Sequence, residues 1–138
     1  MVRRGMKTRT SKSRAIAQGY RSGLEGRVAA QIREVTGQEP EFESFKIEYS
    51  KPARRSKYTP DFVLPNGIII ETKGVFDAAD REKHLLIREQ HPNLDIRFVF
   101  TRAKAPIYRG SKTTVAAWCD KHGFVWAEKL IPLEWFRE

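Results

Sequence analysis

The chain is organised around the stretch Tyr58-Thr-Pro-Asp-Phe-Val-Leu-Pro-Asn-Gly-Ile-Ile-Ile-Glu-Thr-Lys73. Apolar residues lie on both sides of Pro65-Asn66-Gly67, which is a strong turn signal. The three isoleucines that follow the turn are β-branched and favour a strand. The pattern therefore predicts a β-hairpin.

The register of this hairpin decides which side chains meet. If the turn is centred on Asn66, Asp61 lies opposite Glu71, with their Cβ atoms about 5 Å apart. Lys73 then shares the face of Glu71, because side chains alternate between faces along a strand. A two-residue turn would instead place Asp61 opposite Thr72. In the first register the two carboxylates repel unless a cation separates them or one is protonated, and such oxygen ligands suit Mg²⁺.

A plainer interpretation of the same residues is a solvated charged face, which is common on hairpins. Three features favour a site instead. A Pro-Asp step precedes the acid-x-Lys strand, and the spacing fits a single hairpin. The strand that carries Glu71 is otherwise so apolar that we expect it to be central, where unpaired charges are rare.

A helix is predicted over residues 22–35, because apolar residues recur there at helical spacing. Ser22-Gly-Leu-Glu25 fits a capping box, in which the side chain of Glu25 returns to the backbone N–H of the cap residue. Spacing alone favours this capping role for Glu25 over a catalytic one.

A second helix is predicted from Asp77 to Gln90, before Pro92. Leu85 and Leu86 are its candidate core residues, and Arg81, His84 and Arg88 are assigned to its surface. Between the two helices, residues 41–50 alternate as in a half-buried strand.

Pro60-Asp61 followed by Glu71-Thr72-Lys73 resembles the signature of the PD-(D/E)xK nucleases. Further segments narrow the resemblance, and they include Arg21-Ser-Gly-Leu-Glu25, Leu64-Pro-Asn-Gly67, Lys83-His-Leu-Leu-Ile-Arg-Glu-Gln-His-Pro92 and Lys129-Leu-Ile-Pro132. From about Tyr20 onward the chain resembles the endonuclease I family of the T-odd bacteriophages, whose members resolve four-way (Holliday) DNA junctions.

The resemblance implies an active site made of Glu25, Asp61, Glu71 and Lys73. It also implies two divalent ions in each site, Mg²⁺ with Mn²⁺ as a substitute. The ligands would be the carboxylates of Glu25, Asp61 and Glu71 and the backbone carbonyl of Thr72. In this assignment the carboxylate of Glu25 is catalytic, whereas spacing alone favours a capping role for it.

The fold implied by the resemblance is α/β. It is a restriction-endonuclease-like core with a central mixed β-sheet flanked by helices, in a domain-swapped homodimer. Residues 21–138 would form the nuclease domain, and residues 44–57 the bridge at which the two chains cross. Pro52 stiffens this connector, which would disfavour folding back within one chain.

The 138 residues suffice for one domain, and the formal net charge of +9 suits a polyanionic partner, although charge also serves solubility. Residues 1–20 contain no acidic residue and are expected to be a disordered DNA-binding arm. The expected DNA-contacting residues are Arg3, Arg4, Lys7, Arg9, Lys12 and Arg14 in this arm, Arg54, Arg55 and Lys57 in the bridge, and Arg81, His84 and Arg88 on the second helix.

The sequence contains neither a signal peptide nor an apolar run that approaches a membrane span. We therefore expect a cytoplasmic protein without a membrane partner, in the host cytoplasm if it is phage-encoded. The single cysteine, Cys119, lies in an apolar helical pattern and is interpreted as a core residue.

Together these features predict a Mg²⁺-dependent endodeoxyribonuclease that acts on branched DNA. Two alternatives remain open. One is a dimer that grips branched DNA without cutting it, its acidic residues serving structure only. The other is a nuclease of the same superfamily that acts on ordinary duplex or on flaps.

Overall fold

The computed structural model describes residues 19–51 and 54–138. The helices and strands of these residues are, in chain order, helix α1 (Gly23–Thr36), strands β1 (Ile47–Lys51), β2 (Arg54–Tyr58), β3 (Phe62–Val63) and β4 (Ile69–Lys73), helix α2 (Ala78–Gln90), strand β5 (Ile96–Phe100), helix α3 (Val115–His122), strand β6 (Val125–Glu128) and a 3₁₀ helix (Leu133–Arg137).

A four-stranded mixed sheet in the order β3-β4-β5-β6 forms the centre of the fold. Strand β3 runs antiparallel to β4, whereas β4, β5 and β6 are parallel. Parallel neighbours need crossover connections, and helices α2 and α3 supply them. The predicted mixed α/β sheet with flanking helices is confirmed, and the domain-swapped dimer stays a prediction.

The register of the β3–β4 hairpin is the one centred on Asn66. Phe62 pairs with Ile70, so the next position outward sets Asp61 opposite Glu71. The alternative register, with its two-residue turn, is excluded. Strand β4 is also central, as its apolar sequence predicted.

Both faces of the sheet are covered. One cluster joins α1 and the 3₁₀ helix to the sheet, and its members include Leu24, Val28, Ile32, Ile70, Val99 and Trp135. The other joins α2, α3 and the β1–β2 hairpin to the opposite face, with Tyr58, Ile69, Ile87, Phe98, Phe100 and Trp118. Every residue of β5 is buried, as expected for a parallel strand covered on both sides.

Tyr20, which the sequence assigned to the arm, belongs to the hydrophobic core. Tyr20 is buried and packs edge-to-face on Phe42, with ring centroids 4.7 Å apart. Tyr20 therefore packs with the domain, and the position of the boundary between arm and domain stays a prediction. The strand predicted over residues 41–50 begins only at Ile47.

The segment predicted to cross between two chains folds back on itself in this structure. Strands β1 and β2 pair antiparallel, from Ile47 opposite Tyr58 to Lys51 opposite Arg54. The expectation that this connector would resist folding back within one chain is therefore not met. Its role as a bridge stays a prediction.

Candidate active site

Side chains from three segments meet at the carboxyl end of β4. Glu25 comes from the first turn of α1, Asp61 from the residue before β3, and Glu71 and Lys73 from β4 itself. The three acids are only 5–6% exposed. The structure thus brings together the four residues that the sequence singled out, and their catalytic roles remain predictions.

Asp61 is held against the edge of β4 by Thr72. Its Oδ2 atom accepts hydrogen bonds from the Thr72 backbone N–H (2.9 Å) and the Thr72 hydroxyl (2.7 Å). Burial raises the pKa of Asp61 and outweighs these hydrogen bonds, which act in the opposite direction. Thr72 is therefore a positioning residue for Asp61, and the predicted ligand role of its carbonyl stays open to test.

Glu71 is the most strongly perturbed acid of the site. Burial, followed by the charge of Asp61, raises its pKa from 4.5 to about 7. The hydroxyl of Tyr58 donates to its Oε2 atom at 2.6 Å, and the Asp61 backbone N–H lies 3.4 Å from the same oxygen. A buried carboxylate beside a second one is stabilised by a bound cation.

Lys73 lies between two acids. Its Nζ atom is 3.5 Å from Glu71 Oε1 and 3.4 Å from Asp80 Oδ1. Burial by itself would lower the pKa of Lys73, but Glu71 and Asp80 together outweigh it and the pKa is raised. Lys73 is therefore an ammonium ion, and it depends partly on Asp80, which sequence reasoning missed.

Glu25 combines the two roles that the sequence offered as rivals. Its backbone N–H donates to Ser22 Oγ (3.1 Å), as in a capped helix. Its Oε2 atom accepts from the backbone N–H of Arg21 (2.8 Å), one residue before the cap residue that a capping box would use. The same carboxylate also faces Asp61, so capping and membership of the site coexist.

Glu43 is a further acid of the site that sequence reasoning did not find. One carboxylate oxygen from each of Glu25, Glu43 and Asp61 lies within 4.8 Å of the others. Glu43 has a positive φ of 50°, unusual for a residue with a side chain, and its N–H donates to the Asp61 carbonyl at 3.1 Å. No local signal in the sequence predicts this conformation.

The guanidinium group of Arg21 reaches all three of these acids. Its Nη2 atom lies 3.5 Å from Glu25 Oε1 and 3.9 Å from Asp61 Oδ1, and it also pairs with Glu43. The Arg21 side chain is 70% exposed. It covers the acidic cluster from the solvent side.

The chemistry of this cluster fits a hard divalent cation. Its donors are carboxylate oxygens from separate segments, which suit Mg²⁺, Mn²⁺ or Ca²⁺ rather than a metal that prefers sulfur. The acids of Glu25, Glu43 and Asp61 could bind such an ion, and Glu71 adjoins Asp61.

The prediction that His84 lies on the helix surface is wrong. Its side chain is fully buried, and it stacks edge-on against Tyr58 (5.1 Å) and Phe98 (4.8 Å). Among the described residues neither ring nitrogen has a hydrogen-bond partner. Burial, reinforced by Lys73 and Lys83, holds the pKa of His84 well below its usual value. His84 is thus a neutral core residue, inaccessible to a DNA phosphate in this structure.

The two arginines predicted to contact DNA from α2 also make contacts within the chain. Arg81 Nη1 donates to two backbone carbonyls, at 2.6 and 2.8 Å. Arg88 donates to the carbonyl of His122, and its guanidinium lies 4.2 Å from the ring centroid of Phe124. Part of each guanidinium group therefore serves the fold, and contact with DNA stays a prediction.

Of the remaining candidates for DNA contact, Arg55 and Lys57 are exposed on β2. Lys57 Nζ lies 3.6 Å from Glu48. The side chain of Arg54 and all of the basic arm residues lie outside the described part of the chain. Separately, none of the described helices is long and apolar enough to span a membrane.

Comparison with known proteins gives a consistent result. The model of the family described as phage endonuclease I matches residues 6–138. The chain is 53% identical over 119 residues to endonuclease I of Escherichia phage T7, covering 86% of this chain and 79% of that protein. It is 52% identical over 119 residues to endodeoxyribonuclease 1 of Enterobacteria phage T3, covering 86% and 78% of the two chains.

Proposed function

The chain belongs to the phage endonuclease I family, and from this premise we propose that it hydrolyses phosphodiester bonds in four-way (Holliday) junctions and other branched DNA. The observation that supports this most is the convergence of Glu25, Asp61 and Glu71, all buried, with Lys73 at the end of β4. The relatives are phage proteins, and we propose that this chain acts in the host cytoplasm.

In the proposed site, the carboxylates of Asp61, Glu71 and Glu25 and the carbonyl of Thr72 would hold two divalent ions, Mg²⁺ or Mn²⁺. Glu43 would add negative charge beside Glu25 and Asp61. When bound, the ions lower the pKa of an attacking water and stabilise the entering and leaving oxygens. Thr72 fixes Asp61 for this task through two hydrogen bonds.

Lys73 acts as an ammonium group rather than as a base. Its raised pKa follows from the carboxylates of Glu71 and Asp80 on either side. In this state it donates hydrogen bonds, so it orients the attacking water and offsets the negative charge of the phosphate.

Positive charge on the arm, the β1–β2 hairpin and α2 would hold the DNA backbone. The net charge of +9 supports a large electrostatic contribution to binding. Affinity should therefore fall steeply with salt, and removal of residues 1–14 should weaken binding and flatten the salt dependence. If the affinity for DNA is unchanged after this deletion, the arm does not contribute to DNA binding.

We further propose a domain-swapped homodimer. The antiparallel pairing of β1 with β2 can form between two chains as well as within one, so exchange costs few contacts. Glu25 precedes this hairpin, whereas Asp61, Glu71 and Lys73 follow it. In a swapped dimer each site would therefore take Glu25 from one chain and the other three residues from its partner.

Complementation tests the swap. Glu25→Ala and Glu71→Ala should each be inactive alone, and chains refolded together should regain activity. In a swapped heterodimer, one site receives the intact Glu25 of one chain and the intact Glu71 of the other. A mixture that stays inactive while forming dimers would contradict the exchange.

Cleavage of a four-way junction tests the function itself. The protein should cut the junction in Mg²⁺, should not cut it in EDTA, and should leave a linear duplex of the same sequence largely intact. Equal cutting of the duplex would favour a nuclease of different specificity. Tight junction binding with no cutting in Mg²⁺ or Mn²⁺ would favour the non-cleaving dimer.

A further inference from the structure

Arg21 holds the carboxylates that the proposed metal site needs. Its guanidinium nitrogen Nη2 contacts Glu25, Glu43 and Asp61 at once. An arginine side chain keeps its charge at any ordinary pH. The guanidinium therefore places a positive charge directly against this acidic cluster in the structure.

A divalent ion bound by these oxygens would lie within a few ångströms of the guanidinium group. Two like charges at such a separation repel strongly, even at the higher effective dielectric of a partly exposed site. The second oxygens of Glu25 and Asp61 already accept hydrogen bonds, from the Arg21 backbone N–H and from Thr72, so an ion would compete with Arg21 for the oxygens that face it. Arg21 and the ion therefore cannot both keep these contacts.

The Arg21 side chain can turn away from the carboxylates into solvent, whereas its backbone is held by Glu25. The backbone N–H is anchored on Glu25 Oε2 at 2.8 Å, and 70% of the side chain is exposed. The guanidinium carbon also lies 6.0 Å from the centroid of the Phe42 ring. Among the described residues, a swing of the side chain into solvent would break these ion pairs and the contact with the Phe42 ring, and would leave the backbone anchor intact.

We propose that Arg21 competes with the divalent ion for these carboxylates and, once displaced, binds a DNA phosphate beside the site. This inference rests on the proposed nuclease function. The planar fork of donors matches the geometry of phosphate oxygens. The same side chain would then restrain ion binding in free protein and assist substrate binding in the complex.

The first test is calorimetric titration of the full chain with Mn²⁺ in the absence of DNA. Arg21→Gln should bind the ion more tightly than the unchanged protein, on the order of tenfold, because a competing positive charge is lost. Arg33→Gln is the matched control. Arg33 lies at the far end of the same helix, paired with exposed Glu39, so the variant should bind Mn²⁺ as the unchanged protein does.

The second test is single-turnover cleavage of a four-way junction at saturating Mn²⁺. Arg21→Gln should cut at least tenfold more slowly despite its tighter ion binding, and Arg21→Lys should recover part of the rate. Cleavage by Arg21→Gln at the full rate would refute the phosphate contact.

Different results would refute the competition between Arg21 and the ion and the proposed nuclease function. If the unchanged protein binds Mn²⁺ and Arg21→Gln binds it equally or more weakly, the competition is refuted and the nuclease site stands. If no variant binds any divalent ion, with or without junction DNA, the proposed nuclease function itself fails.

Discussion

The hydroxyl group of Tyr58 donates a 2.6 Å hydrogen bond to Oε2 of Glu71, and both side chains are buried. Tyr58 ends strand β2, so this bond couples the β1–β2 hairpin to the candidate active site. The bond favours the ionised form of Glu71 and thus opposes the effect of burial. The buried ring of His84 packs against Tyr58 and supports it from behind.

Tyr58→Phe should weaken divalent ion binding at pH 7 by about three- to tenfold. Without the hydroxyl donor the pKa of Glu71 rises further, and the ion must then displace a proton more often. Titration with Mg²⁺ at pH 7 and pH 8.5 should show a deficit that shrinks at the higher pH. Tyr108→Phe, at a tyrosine that is 63% exposed, is the control. Equal affinity of both variants at pH 7 would show that the bond is incidental.

Glu71→Gln should stabilise the protein at pH 8 in the presence of EDTA. Glu71 keeps its proton up to about pH 7 when folded but only to about 4.5 when unfolded. The folded state therefore binds more protons in this interval, and the stability of the unchanged protein falls as pH rises through it. Above pH 7 the free energy of unfolding of the unchanged protein is lowered by about 3 kcal/mol in this way.

Urea denaturation at pH 5 and pH 8 measures this effect. The variant should be nearly as stable as the unchanged protein at pH 5 and clearly more stable at pH 8, because glutamine can still accept the Tyr58 hydrogen bond. If Glu71→Gln were less stable than the unchanged protein at pH 8, burial of the ionised Glu71 carboxylate would not destabilise the fold.

Asp80→Asn should slow junction cleavage about tenfold while leaving junction binding unchanged. Asp80 is one of two carboxylates that position Lys73, 3.4 Å from its Nζ atom, and asparagine lacks the charge that holds it there. Asp80→Glu should restore part of the rate. Asp120→Asn, at an exposed helical residue that accepts from Trp126, is the control for a lost charge. A loss of binding that accounts for the whole rate effect would argue against positioning.

Arg97→Met should separate stability from catalysis. The Arg97 side chain is buried, binds both carboxylate oxygens of Asp95 (2.9 and 2.8 Å), and also pairs with Glu138. Its loss should lower the free energy of unfolding by about 1–3 kcal/mol, whereas junction cleavage well below the melting temperature should be unchanged. A reduced rate in fully folded protein would extend the site to this end of β5.

The hairpin and its two possible registers were accessible from the sequence, because turn residues and side-chain alternation are local rules. The structure selects the register that brings Asp61, Glu71 and Lys73 together. The position of His84 was not accessible from the sequence. Leu85 and Leu86, the predicted core residues, are partly buried and pack against the core, whereas His84 and Ile87 are the fully buried residues of α2. A histidine on the inner face of a helix carries no local signal that distinguishes it from a surface one.

The contributions of Arg21, Glu43 and Asp80 depend on long-range packing. Each of these residues lies near the end of a helix or in a connecting segment, and it reaches the site only when the sheet and helices assemble. The positive φ of Glu43 is likewise imposed by its tertiary surroundings, since no glycine or asparagine marks the position. Strands β1 and β2 can pair in the same way within one chain or between two chains. Neither the sequence pattern nor the observed hairpin therefore decides whether the dimer is domain-swapped.

Anomalous diffraction from crystals soaked in Mn²⁺ tests most directly whether these acids form one ion-binding centre. We expect strong peaks in contact with the carboxylates of Asp61 and Glu71 and next to Glu25, with the Arg21 side chain displaced from its present contacts. A fully soaked crystal with no peak near Asp61 and Glu71, or with peaks only at other surface acids, would contradict the proposed metal-dependent site.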